Sequence, residues 1–213
     1  MEPVCYIIGA APATALPSPR EGDFLIAADK GFAALQEACI APDLILGDFD
    51  SLGYTPEGEN VLSHSPIKDD TDLLLAIRWA MERGWCRFVI YGALGGARLD
   101  QTVASFQTLR FLAEHGARGR LVGDGWNVTL LQNAALRFPP AASGWLSLFV
   151  SGDAARGVTL RGLKYELTDA ALTCGMPIGV SNEFLGREAI VRVEDGALFV
   201  LWQGDVLPEE EAL

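Results

Sequence analysis

The chain has 213 residues, half of them hydrophobic and 21% charged, a balance that supports a sizeable core in one large or two small domains and excludes disorder. A formal net charge of −12 excludes the basic face that nucleic acid or an anionic membrane requires, so a phosphate-bearing ligand would need a divalent cation or a few placed basic groups. The four cysteines (Cys5, Cys39, Cys86, Cys174) are far apart and the two histidines are His64 and His115, which removes zinc-finger patterns and predicts free thiols in a reducing compartment.

Taken in chain order, "VCYIIGA" (4–10) reads as a buried strand closing in a glycine turn. Glu2 stands where a secretory signal would carry positive charge, and no run reaches membrane-spanning length, so a cytoplasmic protein is expected. Residues 23–29 form a second strand, 30–40 a helix with Phe32, Leu35 and Cys39 on one side, 42–48 a third strand and 60–66 a weaker one. Helical spacing of Leu73, Ile77, Ala80 and Met81 predicts a helix over 69–84, stopped by Gly84. A strand at 87–93, a helix at 99–116 and a strand at 119–125 complete this part.

Strand–helix alternation with near-continuous apolar strands predicts a mostly parallel sheet covered by helices, with ligands beyond the carboxyl ends of its strands. After about residue 125 the pattern changes to short β-rich pieces separated by Gly, Asp-Gly and Pro turns, which predicts a C-terminal antiparallel β-sandwich domain. The boundary is set at 1–128 and 129–213. Within the second part "VEDGALFV" predicts a hairpin turning at Asp195-Gly196, and "PEEEAL" at 208–213 a frayed tail.

Acidic residues gather at the predicted strand ends and helix starts. Asp29 closes the second strand; Asp48 and Asp50 flank Phe49 at the end of the third; Asp69, Asp70 and Asp72 sit in "KDDTD"; Asp100 lies beside Arg98 in "GALGGARLDQT". Asp69 or Thr71 could serve only as a helix N-cap. Side chains two apart on an extended segment face the same side, so Asp48 and Asp50 would converge and repel without a cation. Paired carboxylates with oxygen-only neighbours suit Mg²⁺, which is hard and is usually shared with substrate phosphates. The Gly95-Gly96 loop permits close backbone approach before a helix N-terminus, and Arg98 and Lys68 are the phosphate-facing cations, though either could be an ordinary surface charge. These residues describe a Mg²⁺-dependent enzyme acting on a phosphorylated or nucleotide substrate, with transfer and hydrolysis both open.

The segments "AADKGFAAL", "PDLILGDFDSLG", "KDDTDLLLAI", "GALGGARLDQT", "GVTLRGLKYEL" and "GVSNEF", in this order, resemble the thiamine pyrophosphokinases across nearly the whole chain. The resemblance implies an α/β nucleotide-binding domain followed by a β-sandwich, and transfer of the pyrophosphoryl group of ATP to the hydroxyl of thiamine, giving thiamine diphosphate and AMP. It implies Mg²⁺ held by Asp48, Asp50 and Asp72, with Arg98 or Lys68 assisting and Asp100 orienting the acceptor. Asp29, Gly95, Gly96 and Gln101 would line the ligand site, and Ser181 and Asn182 would reach thiamine in a homodimer whose sites are shared between subunits. Trp145 and Trp202 could stack on the thiazolium, against a core or interface role for each. Two positions depart from the family pattern: Gln101 stands where His is usual, and Ala97 lengthens the step from Gly-Gly to Arg98. The alternatives are a Mg²⁺-dependent phosphohydrolase or nucleotidyl/glycosyl transferase, and a non-catalytic nucleotide- or thiamine-binding regulator.

Overall fold

The computed structural model describes residues 2–13, 15–50, 52–65 and 70–213, and the chain divides into two units, Met1–Asp124 and Gly125–Leu213.

The first unit runs β1 (Cys5–Ile8), β2 (Phe24–Ala28), α1 (Gly31–Glu37), β3 (Leu44–Gly47), β4 (Val61–Ser63), α2 (Asp72–Met81), β5 (Arg87–Tyr91), α3 (Leu99–Glu114) and β6 (Arg118–Gly123). Its strands lie in the order β6-β5-β1-β2-β3-β4, and every adjacent pair is parallel. The sheet therefore grows in one direction from β1 to β4 and then resumes on the other side of β1 with β5. In such a sheet, ligands bind beyond the carboxyl ends of the strands, near the point where the strand order reverses.

The pleat divides the apolar side chains between two faces. Ile8, Leu25, Ala27 and Ile45 pack with Leu35 of α1 and with Phe49. On β6, a Cβ at Gly119 would lie 2.5 Å from Leu112 Cδ1 and 2.8 Å from Leu109 Cδ2, so the bare glycine lets α3 settle directly on the strand. The helix expected over 69–84 begins later, at Asp72, because Thr71 is its N-cap: the Thr71 Oγ1 accepts from the Leu74 N–H at 3.2 Å. Among the described residues no helix is long and apolar enough to cross a membrane.

The second unit contains β7 (Trp126–Phe138), β8 (Trp145–Val150), β9 (Ala154–Arg161), β10 (Leu167–Thr173), β11 (Asn182–Glu183), β12 (Ala189–Gln203) and β13 (Glu209–Ala212), and its pairings are antiparallel. β12 organises it. One edge of β12 follows β7 along nearly its whole length; the other pairs with β9 from Ile190 to Asp195 and with β8 from Leu198 to Trp202. The core gathers Leu131, Leu136, Phe138, Leu148, Val191 and Val200 around Trp202. Trp202 is itself buried, its ring edge-on to Phe138 with centroids 5.6 Å apart and its Nε1–H donating to the Val206 carbonyl.

Two expectations for this unit are corrected. Asp195-Gly196 is not a hairpin turn but a bulge inside the continuous β12, where the register against β7 shifts between Val193 and Ala197. Gly196 takes φ +109 and its N–H donates to Oδ1 of Asn133, which has φ +48 in the facing strand, so both strands bend together where β12 changes partner. The acidic end is not frayed: β13 pairs with β7, and Arg137 holds Glu211 at 2.8 Å and Glu188 at 2.7 Å. That pairing holds the Glu211 carboxyl below its ordinary range and lifts the Arg137 guanidinium above its own.

Candidate functional site

The carboxyl edge of the parallel sheet carries an acidic cluster. Asp29 follows β2 with φ +47, a region that Asp tolerates better than most residues. Its N–H donates to the Leu46 carbonyl of β3 at 2.8 Å, and its own carbonyl accepts from Phe32 of α1. The residue is 6% exposed, with Oδ1 enclosed. Such a close approach requires Gly47, where a Cβ would lie 2.9 Å from the Asp29 Cα and 3.2 Å from its Cβ.

Asp48, half-buried, leaves β3 next to Gly47, and exposed Asp50 follows across Phe49. The segment is not extended here, which corrects the expected route to convergence. Phe49 takes φ +61, its ring points into the core at 2% exposure, and the Asp50 N–H donates to Asp48 Oδ1 at 3.2 Å. A left-handed turn, rather than strand alternation, brings the two carboxylates to one side. Ligand oxygens of Asp29, Asp48 and Asp50 all lie within 4.8 Å of one another. Three converging carboxylates, one of them enclosed, form an all-oxygen anionic donor set of the kind Mg²⁺ takes. The residues present therefore fit a hard divalent cation.

The other expected residues distribute around this edge. Asp72 occupies the first turn of α2, half-buried, and is not part of the three-carboxylate group found among the described residues. Asp70 pairs with Arg78 at 3.3 Å. Lys68 and Asp69 lie outside the described residues. Arg98 and Asp100 face each other: Nη2 to Oδ2 is 2.6 Å and Nε to Oδ1 is 2.9 Å, both side chains being exposed. This fork holds the Asp100 carboxyl below its ordinary range and raises the Arg98 guanidinium above its own. Gly95 and Gly96 precede them with φ +71 and +80, and Thr102 Oγ1 donates to the Gly95 carbonyl at 3.2 Å, tying the loop to α3. Ala97 and Gln101 are exposed, and the Gln101 carbonyl accepts from Ser105 Oγ.

Sequence reasoning missed the loop after β1. Gly9 donates to the Tyr91 carbonyl and Ala11 to that of Gly92, both at 2.8 Å, while a Cβ at Gly96 would lie 3.2 Å from Pro12 Cδ. The loops leaving β1 and β5 thus touch where the sheet order reverses. The local signal was Gly9 followed by Pro12; its meaning depended on β1 and β5 being neighbours.

In the second unit, Ser181 takes φ +62 and its N–H donates to Ser147 Oγ. Asn182 is 5% exposed: Oδ1 accepts from Tyr165 N–H at 2.9 Å and Glu183 N–H at 3.0 Å, and Nδ2 donates to the Tyr165 carbonyl at 2.7 Å. Its amide pins a segment whose Tyr165 ring is 59% exposed, close in the fold to Trp145, which pairs with Glu183 and is 52% exposed.

Fold and site together define a class: an α/β unit with a carboxylate cluster beyond the ends of its parallel strands, followed in the chain by an antiparallel β unit. The comparisons with known proteins agree on the family. Residues 20–118 match the thiamin pyrophosphokinase catalytic domain and residues 134–198 the thiamin pyrophosphokinase vitamin B1 binding domain. The thiamine pyrophosphokinase of Bacillus subtilis is 28% identical over 195 residues, covering 84% of this chain and 87% of that protein. A crystal structure of the Bacillus subtilis enzyme superposes with a TM-score of 0.82 at 24% identity, covering 95% of this chain and all of that one. A thiamin pyrophosphokinase family protein from Enterococcus faecalis superposes at 0.80 with 26% identity, covering 96% of this chain and all of that one. The chain belongs to the thiamine pyrophosphokinase family.

Proposed function

We propose that the protein transfers the pyrophosphoryl group of ATP to the hydroxyl of thiamine, giving thiamine diphosphate and AMP. The observation that carries this reading is the Asp29–Asp48–Asp50 cluster at the carboxyl edge of a sheet that matches the family's catalytic domain. Asp29, Asp48 and Asp50 would hold Mg²⁺, and Asp72 is left out of that set. Bound there, the ion would neutralise charge on the transferred phosphates.

The remaining steps fall to the chain's own groups. Gly95 and Gly96, exposed in the loop before α3, allow phosphate oxygens close to backbone N–H groups, while Gly9 and Gly92 let the loops leaving β1 and β5 lie against each other. Asp100, held ionised by Arg98, is a weak base and an acceptor only, which suits it to orienting the thiamine hydroxyl rather than removing its proton. The Ser181–Asn182 turn and the exposed Tyr165 and Trp145 form the surface proposed for thiamine, whose cationic ring favours an aromatic face. The reading of the second unit as a sandwich is supported by β12, whose two halves pair with different strands on one edge. The exposed Met176, Ile178 and Val180 support a homodimer, since an apolar strip of this kind is commonly covered by a second copy. Free cysteines suit a reducing, cytoplasmic setting.

The test is direct: purified protein with ATP, Mg²⁺ and thiamine, the nucleotide products being resolved. AMP formed only with thiamine present is the expected result. ADP, or hydrolysis that ignores thiamine, would overturn the proposal in favour of a phosphohydrolase, and binding without turnover would make the protein a regulator.

A further inference from the structure

Phe49 is the one residue between the two converging carboxylates, and it combines an ordinary core burial with a backbone conformation that core residues rarely adopt. Its φ of +61 is rare for a bulky residue and is retained only where the surroundings dictate it. Its ring is buried among Ile8, Leu25, Ala27, Leu35 and Ile45, drawn from β1, β2, α1 and β3. Its carbonyl accepts from both Leu52 and Gly53 N–H groups, at 3.2 Å each, which fixes the chain leaving the turn. A glycine would adopt this φ without strain, and a core residue at a strand end needs no left-handed backbone. The combination makes sense where Asp48 and Asp50 must stay together although their charges push the turn open.

We propose that Phe49 is the positioning residue of the acidic cluster: its buried, unbranched-at-Cβ apolar side chain anchors the left-handed turn that gathers Asp48 and Asp50 beside Asp29, and so sets the affinity for the divalent cation. The proposal rests on the reading of that cluster as a cation site. Phe49 itself would touch no reacting atom. It acts through the two aspartates, by sparing the cation the cost of ordering them.

The experiment measures Mn²⁺ binding to the full chain without nucleotide, by the electron paramagnetic resonance of free Mn²⁺, in the wild type and in Phe49→Leu, Phe49→Ile and Asp50→Asn. Leu and Ile have the same volume and differ in branching, and a β-branched residue resists positive φ much more strongly. Phe49→Leu should bind within about twofold of wild type and Phe49→Ile about tenfold more weakly, the scale of re-fixing one residue's backbone. Circular dichroism establishes that both are folded, and a matching rise in KM for Mg·ATP with kcat less changed is expected for Phe49→Ile. Equal Mn²⁺ affinities in the folded Leu and Ile variants would overturn the role of Phe49. Wild-type Mn²⁺ binding by Asp50→Asn would instead remove the cation reading on which the role depends.

Discussion

Replacing Asp29 by Asn should raise stability without metal and weaken the response to it, and this opposition of signs separates a ligand site from a structural one. Asn keeps the shape and tolerates the φ of +47 found at this position. The substitution removes two like-charge pairs, each with oxygens no more than 4.8 Å apart. At that separation each pair costs about 0.9 kcal/mol in water-like surroundings and about 3.5 kcal/mol at an effective dielectric near 20. Asp50 is exposed and Asp48 half-buried, so the lower end applies, for a gain of about 2 kcal/mol. For a protein of this size that corresponds to a midpoint about 4–8 °C higher in EDTA. Mg²⁺ at about 100 times its dissociation constant should stabilise the wild type by about 2.7 kcal/mol. If the lost carboxylate weakens binding about tenfold, the variant gains only about 1.4 kcal/mol from the same Mg²⁺, and the gap narrows to about 0.7 kcal/mol. Thermal unfolding in EDTA and in Mg²⁺, alongside thiamine-dependent AMP release, reads all of this. A variant less stable than wild type in EDTA, or equal Mg²⁺ shifts in both proteins, would refute the reasoning.

Asn182→Ala strips partners from both the N–H and the carbonyl of Tyr165, so unfolding stability should fall by about 2 kcal/mol, measured by urea denaturation. In the same variant KM for thiamine should rise more than kcat falls, and an unchanged KM would detach this segment from the thiamine surface. The β13–β7 pairing should depend on pH through Glu211, whose carboxyl is held low chiefly by its hydrogen bond to Arg137. A depressed folded value contributes stability that is complete above the unfolded value and is lost as pH falls through the folded one. Hydrogen-exchange protection of residues 209–212, corrected for intrinsic rates, should therefore hold at neutral pH and fall in acid below the ordinary glutamate range. In Arg137→Ala this dependence should flatten; an equally steep loss there would show that another group governs the docking.

Much of the fold could be read along the chain because its causes are local. Helical spacing marked α2, continuous apolar runs marked β1, β2, β3 and β5, and Gly84, at φ +89, stands just beyond the end of α2. Edge strand β10 lacked that signal, since most of its side chains face solvent. Asp195-Gly196 shows where local reading ends: the residue types announce a positive φ, but the paired bend of Asn133 and the change from β9 to β8 decide between hairpin and bulge. The acidic tail likewise announced only charge, and its order comes from Arg137, 74 residues away.

The same division holds at the site. The sequence by itself determined that carboxylates would crowd the ends of parallel strands, because strand alternation, glycine turns and Asp placement are properties of neighbouring residues. Only the tertiary structure decided which carboxylates meet. Asp29 joins Asp48 and Asp50 because β2 and β3 are adjacent, Gly47 leaves room and Phe49 turns left-handed into the core. Arg98, read along the chain as a cation free for phosphate, folds back onto Asp100. Which groups converge depends on strand order and backbone handedness, and those are settled by packing between segments far apart in the chain.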